Sequence, residues 1–172
     1  GASAGFSLAG LRNEFHLAYL VPSSPGARFS EGVMWQRFTT SGDLSEPEPV
    51  VNVGSGFFNR TLSPALAVYF DPSQDSDVVE LFYSDNSGVG LELYMRELAP
   101  DVERPRRALS QDQRDALQNE GQLVAGAVNR RAVLAWVGEN VELGTRRLLV
   151  QQVNFQGRPR EVLLGDEGFL VG

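Results

Sequence analysis

The chain of 172 residues contains no cysteine. Disulfides, thiolate-held zinc, iron–sulfur clusters and thiol nucleophiles are therefore excluded, while either redox compartment stays open. Lysine is also absent, so all 15 basic residues other than His are Arg. A GC-rich genome accounts for that bias. The alternative, a selected set of Arg forks for carboxylate or phosphate ligands, finds no support in their spacing. His16 is the single histidine. It cannot build a His-rich metal site alone, and a Ser-His-Asp triad would have to use it. Its neighbours in FHLAYLV favour a structural or surface role. No apolar run approaches the ~20 residues of a membrane-spanning helix. The opening GASAGFSLAG lacks the basic segment of a secretory signal.

What is present is ordinary for one globular domain with a sizeable core: 42% hydrophobic and 22% charged residues. The formal net charge of -7 disfavours phosphate backbones and anionic membranes. The basic spots Glu103–Arg107 and Arg146–Arg147 are too sparse to argue for nucleic acid. Eighteen Gly and nine Pro punctuate short apolar or alternating runs, the signature of an all-β chain.

The runs recur in a fixed order. GFSLAG, FHLAYLV (Phe15–Val21), VMWQRF (Val33–Phe38) and EPVVNV form a first unit. Phe6 and Leu8 share one face of the first run, and Phe15, Leu17 and Tyr19 alternate with His16 and Ala18 in the second. Pro47 and Pro49 suit an outermost strand, because proline donates no ladder hydrogen bond. LSPALAVYF (Leu62–Phe70), VVELFYSDNSG, LELYMREL (Leu91–Leu98) and the weak edge RRAL form a second unit. SQDQRDALQNEG (Ser110–Gly121) reads as a short polar helix, capped by Ser110 and ended by Gly121. QLVAGAV (Gln122–Val128), AVLAWV, TRRLLVQQV and REVLL form a third unit, and the closing EGFLVG echoes the opening AGFSLAG. Tyr19, Tyr83 and Trp136 end the second strands, and Phe38, Leu98 and Val153 close the third. The period is roughly 55 residues, which with four strands per unit points to propeller blades rather than helical solenoids. The expected divisions are about 4–54, about 57–109, a helical linker at 110–120, about 121–165, and the start of a further strand at 166–172.

The segments VMWQRFTTSGD, LFYSDNSGVGLELYMREL and LAWVGENVELGTRRLLVQQVNFQG resemble diverged bacterial β-propeller repeats. The resemblance covers nearly the whole chain and implies an all-β fold of three four-stranded blades. A larger ring would then be completed by a second chain or by further blades. A β-sandwich of about a dozen strands is the alternative fold. The Ala- and Gly-rich first strands fit the crowded axis of such a ring. SDNSG (Ser84–Gly88) loosely resembles the Asp-box turn of sialidase-like propellers, Ser-x-Asp-x-Gly-x-x-Trp. Here Asp85 directly follows Ser84 and no Trp stands at the matching place. A structural turn is the reading its chemistry favours.

Candidate sites are few. Trp35, Arg37, Tyr94, Arg96 and Trp136 resemble the aromatic and Arg sets on which propeller lectins hold sugars, although inter-blade packing explains aromatic residues equally directly. Asp71, Asp75 and Asp77 in DPSQDSD are candidates for holding Ca2+ through oxygen ligands, although the loop lacks the Gly and closing Glu of an EF-hand. Glu80 is the one acid inside an apolar strand. Its outward face is the expected home, and a raised pKa inside a channel is the sharper idea. No pair of carboxylates is singled out for glycoside hydrolysis. Asn59-Arg60-Thr61 matches an N-glycosylation signal, which matters only in a eukaryotic secretory route.

The expected function is a non-enzymatic propeller-type module for protein binding or assembly, with self-association as a homodimer that closes a ring. A carbohydrate-binding lectin-like propeller and a propeller glycoside hydrolase are the alternatives. No catalytic residue, nucleic-acid partner or membrane span is expected. The resemblance alone implies a bacterial, extracytoplasmic or secreted protein.

Overall fold

A computed structural model of the chain describes residues 5–22, 30–52, 64–86, 91–99, 105, 107–108, 123–140, 145–153 and 160–163. Within them the chain forms three antiparallel sheets of four strands, each following chain order. The first sheet holds β1 (Phe6–Leu11), β2 (Glu14–Pro22), β3 (Ser30–Thr39) and β4 (Glu48–Asn52). The second holds β5 (Ala65–Asp71), β6 (Ser76–Asn86), β7 (Leu91–Leu98) and β8 (Arg107–Ala108). The third holds β9 (Val124–Val128), β10 (Arg131–Asn140), β11 (Thr145–Gln152) and β12 (Arg160–Leu163). The sheets do not close on one another, and the described residues contain no helix. The expected helix at Ser110–Gly121, the strand start at 166–172 and the Asn59-Arg60-Thr61 signal lie outside the described residues.

The turns explain where the strands stop. Residues 12–13 and 129–130 make two-residue hairpin loops, with positive φ at Arg12, Asn129 and Arg130. Such loops match the right-handed twist of the flanking strands. In β4 the pairing with β3 slips beside Pro49, which sits opposite Met34. The missing proline N–H is tolerated there because β4 is an edge. Ser84, Asp85 and Asn86, expected to open an Asp-box-like turn, instead continue β6 and pair with Leu93, Glu92 and Leu91. The ladder runs through them because β7 supplies partners to that point.

The second sheet is the middle layer. β5 is buried on both faces, whereas β1 alternates between exposed and half-buried, and β9 is exposed at every position but the half-buried Ala125. One face of the middle sheet, with Leu66, Val68, Leu81 and Tyr83, packs with Ala18, Val33 and Trp35 of the first sheet. Its other face, with Ala65, Ala67, Phe82 and Met95, packs with Ala132, Leu134 and Trp136 of the third. β5 runs beside both β1 and β9. The Leu66 N–H donates to Ser7 Oγ at 3.0 Å across the first junction. A sheet apolar on both faces needs a neighbour on each, and the middle sheet has both.

Alternation alone does not settle which face of β2 is buried, and for Glu80 the expected outward face is corrected. In β2 the more apolar face, Phe15, Leu17 and Tyr19, points away from the junction. The face carrying His16 and Ala18 is the one buried against the middle sheet. Glu80 does not face outward: it is 8% exposed and lies between Val78 and Phe82, on the face toward the third sheet. Alternation along β6 forces this placement, because residues two apart share a face.

Candidate functional site

The register of β2 against β3 sets His16 opposite Arg37 and Ala18 opposite Trp35. These side chains therefore share the face that meets the middle sheet. The His16 ring stacks on Trp35, with centroids 5.9 Å apart and planes 13° from parallel. The Arg37 guanidinium lies 5.4 Å from the centroid of the same Trp ring, a cation–π arrangement. Its Nη1 is 3.7 Å from Glu14 and its Nη2 is 3.9 Å from Glu48. Across the junction, Arg12 lies over the Phe70 ring at 4.5 Å and pairs with Asp77 at 3.8 Å.

This edge is polar yet enclosed. His16 Nδ1, Trp35 Nε1 and Arg37 Nε are buried without a hydrogen-bond partner among the described residues. Burial holds the His16 pKa below 6.5; Glu14 opposes that shift, Arg37 reinforces it and Asp77 opposes it. The imidazole is therefore neutral at pH 7 and carries no charge into the junction. In the second junction Tyr69 bonds to Glu80, and burial followed by the Glu80 charge pushes the Tyr69 hydroxyl pKa well upward.

The lectin-like candidates divide between the junctions. Trp35, Arg37, Tyr94 and Arg96 lie at the first. Arg96 donates to the Val50 carbonyl, and Tyr94 stacks on Tyr83 with centroids 5.7 Å apart. Trp136 lies in the second junction with Leu134 and Phe82, and its Nε1 is likewise buried without a hydrogen-bond partner among the described residues. Thus four of the five are brought together, with their rings covered by neighbouring sheets rather than presented to solvent.

The carboxylates of the DPSQDSD loop are spread apart by their own turn chemistry. Asp71 Oδ1 accepts from the Ser73 N–H and hydroxyl, both at 2.8 Å, and Oδ2 accepts from Gln74 Nε2 at 3.0 Å. Burial acts against its ionisation, but those donors win and hold its pKa below 3.8. Asp75 adopts positive φ, and Asp77 turns to Arg12. Among the described residues no three His, Asp or Glu side chains converge in a metal-binding group.

Two further features lie away from these candidate residues. The first strands of all three sheets line one trough of about 380 Å³, through Phe6, Leu8, Ala65, Leu123 and Val124 among others. Ser7 is its one hydroxyl lining residue, and it already accepts the Leu66 N–H. The second feature is the pair of outer faces. On the first sheet Phe6 is 68% and Leu8 54% exposed; on the third Val124 is 60% and Val128 56% exposed. The sequence did place Phe6 and Leu8 together, but periodicity does not reveal whether a face has a neighbour. No helix among the described residues is long and apolar enough to cross a membrane. No protein-family model matches the chain, and no curated protein matches it.

Proposed function

We propose that the chain is a non-enzymatic β-propeller-type module whose sheets stand as blades and whose work is protein binding or assembly. One observation carries this reading: both internal junctions join apolar sheet faces, and the corresponding end faces have no covering sheet among the described residues. Exposed apolar side chains gathered on one face mark interaction surfaces in soluble proteins. A trough lined by all three first strands is what sheets set radially around an axis would leave.

The test is dye binding by the dilute purified chain. An apolar fluorophore should bind, and Phe6→Arg and Val124→Arg should each reduce the signal while circular dichroism stays unchanged. Unaltered dye binding in both folded variants would overturn the reading. So would turnover of an aryl glycoside by the purified chain, or saturable binding on a glycan array.

A further inference from the structure

We infer that the occupant of each end face is a second copy of this chain, docked head to tail, so that two chains close a ring of six sheets. This rests on the assembly reading above and names its partner.

The sheets are stacked in one sense. Counted back from the last ladder pair before each first hairpin turn, Leu11, Asp71 and Val128 are equivalent positions. On that count Ser7 and Ala9 match Ala67 and Tyr69, and both sets face the following sheet. Leu66 and Val68 match Leu123 and Ala125, and both sets face the preceding sheet. Each junction therefore joins a forward face to a backward face, never like to like. The two uncovered faces are the missing halves of this same contact. The third sheet exposes its forward face, with Val124, Gly126 and Val128; the first exposes its backward face, with Phe6 and Leu8.

Their shapes continue the pattern of the first junction. At the first junction the small forward residues Ser7 and Ala9 meet the larger Leu66 and Val68. At the open forward face a side chain built at Gly126 would meet nothing within 4 Å, which leaves a notch between two exposed valines. On the count above, the residues that would approach it from a second copy are Phe6 and Leu8. Large residues entering small-residue gaps are how packed layers interdigitate. A contact between unlike faces yields a ring if its rotation closes and a filament if it does not. The first strands all border one trough, so the stack turns about that side, which favours closure.

The experiment is sedimentation velocity on the whole chain at micromolar concentration. The expected mass is twice that of one chain. Phe6→Arg, which blocks the first sheet, and Val124→Arg, which blocks the third, should each sediment as single chains. Mixed together they should regain the paired mass, because one sound forward face then meets one sound backward face. Leu8→Ser and Val128→Ser supply milder blocks should either Arg variant fail to fold. A pair that persists in Val124→Arg alone would mean like-to-like contact and overturns the inference. A ladder of masses growing with concentration overturns the closed pair. A wild-type chain that stays single, while its dye binding still depends on Phe6 and Val124, overturns self-pairing and leaves the assembly reading in place.

Discussion

His16 lies flat against Trp35 at the first junction, 5.9 Å from ring centre to ring centre, with its Nδ1 buried and without a hydrogen-bond partner among the described residues. Protonation would place a charge in that enclosed stack beside the Arg37 guanidinium. Glu14 and Asp77 oppose this effect, but burial prevails and the folded pKa lies below 6.5. Between the folded value and 6.5 the unfolded chain binds more protons than the folded one, so stability rises with pH across that window. His16 thus contributes stability that is complete above about 6.5 and is lost as pH falls toward the folded value. The urea midpoint should drop between pH 7.5 and pH 5. In His16→Phe, which keeps a flat ring against Trp35, that drop should be largely removed. An equal drop in both proteins would show that another group governs the slope. Asp71 and Asp43, also held below 3.8, act only at more acid pH.

Core truncation should separate the buried positions from the end faces. Phe82 and Leu134 are fully buried at the second junction. Phe82→Ala should cost about 3–5 kcal/mol and Leu134→Ala about 2–5 kcal/mol, through lost transfer energy and the cavity left behind. Leu44→Ala, at an exposed apolar residue outside both core clusters, should stay within about 0.5 kcal/mol. Equilibrium urea unfolding measures all three. A small cost at Phe82 would contradict its position between two packed sheets.

Hairpin chemistry predicts a gain at one turn and a loss at another. Arg130 sits at φ 64° in an exposed loop with no Cβ-free residue to relieve it. Arg130→Gly should raise stability by up to about 1 kcal/mol, the cost of the left-handed region for an ordinary residue. Its favourable interaction with Asp71 limits the gain. Gly42, at φ 93°, closes the turn in which Asp43 accepts from Ser41 Oγ at 2.6 Å and from Thr39 Oγ1 at 3.2 Å. Gly42→Ala should lose about 1 kcal/mol or more for the same steric reason. Thermal midpoints moving in opposite directions check both.

The strands were legible in the sequence because their cues are local. Alternation in FHLAYLV, Pro49 near an edge, and small polar turn residues place most elements close to where they form. ALAVYF, apolar on both faces, already signals a layer covered twice. What alternation does not encode is which face finds a neighbour. His16 and Ala18 are buried because the middle sheet packs on their side, while the more apolar Phe15 face has no covering sheet among the described residues. At Glu80 the phase of the strand outweighs the charge of the side chain, and the residue turns inward. Val78 and Phe82 on either side carried the right signal. Trp35, Tyr94 and Trp136 were legible as special aromatic positions. That they fall into two separate junctions depends on the stacking of whole sheets, which no local pattern specifies.

Two glycines on the uncovered faces should respond in opposite ways to the same change. At Gly10 a Cβ would stand 2.6 Å from Phe15 Cδ1, and the Phe15 ring is itself stacked on Phe38 with centroids 5.2 Å apart. Gly10→Ala must push that ring aside, so the folded chain should lose stability, by about 1–3 kcal/mol if it behaves as an overpacked site. At Gly126 a Cβ would meet nothing, and a glycine inside a strand is costly through its backbone entropy. Gly126→Ala should therefore stabilise the single chain by a few tenths to about 1 kcal/mol. If the notch receives a second copy, Gly126→Leu should leave the single chain folded but raise its pairing dissociation constant, about tenfold for each 1.4 kcal/mol lost. Urea unfolding at high dilution reads the first effect, and sedimentation over a concentration series reads the second. Tighter pairing in Gly126→Leu would show that the notch is not where the partner enters.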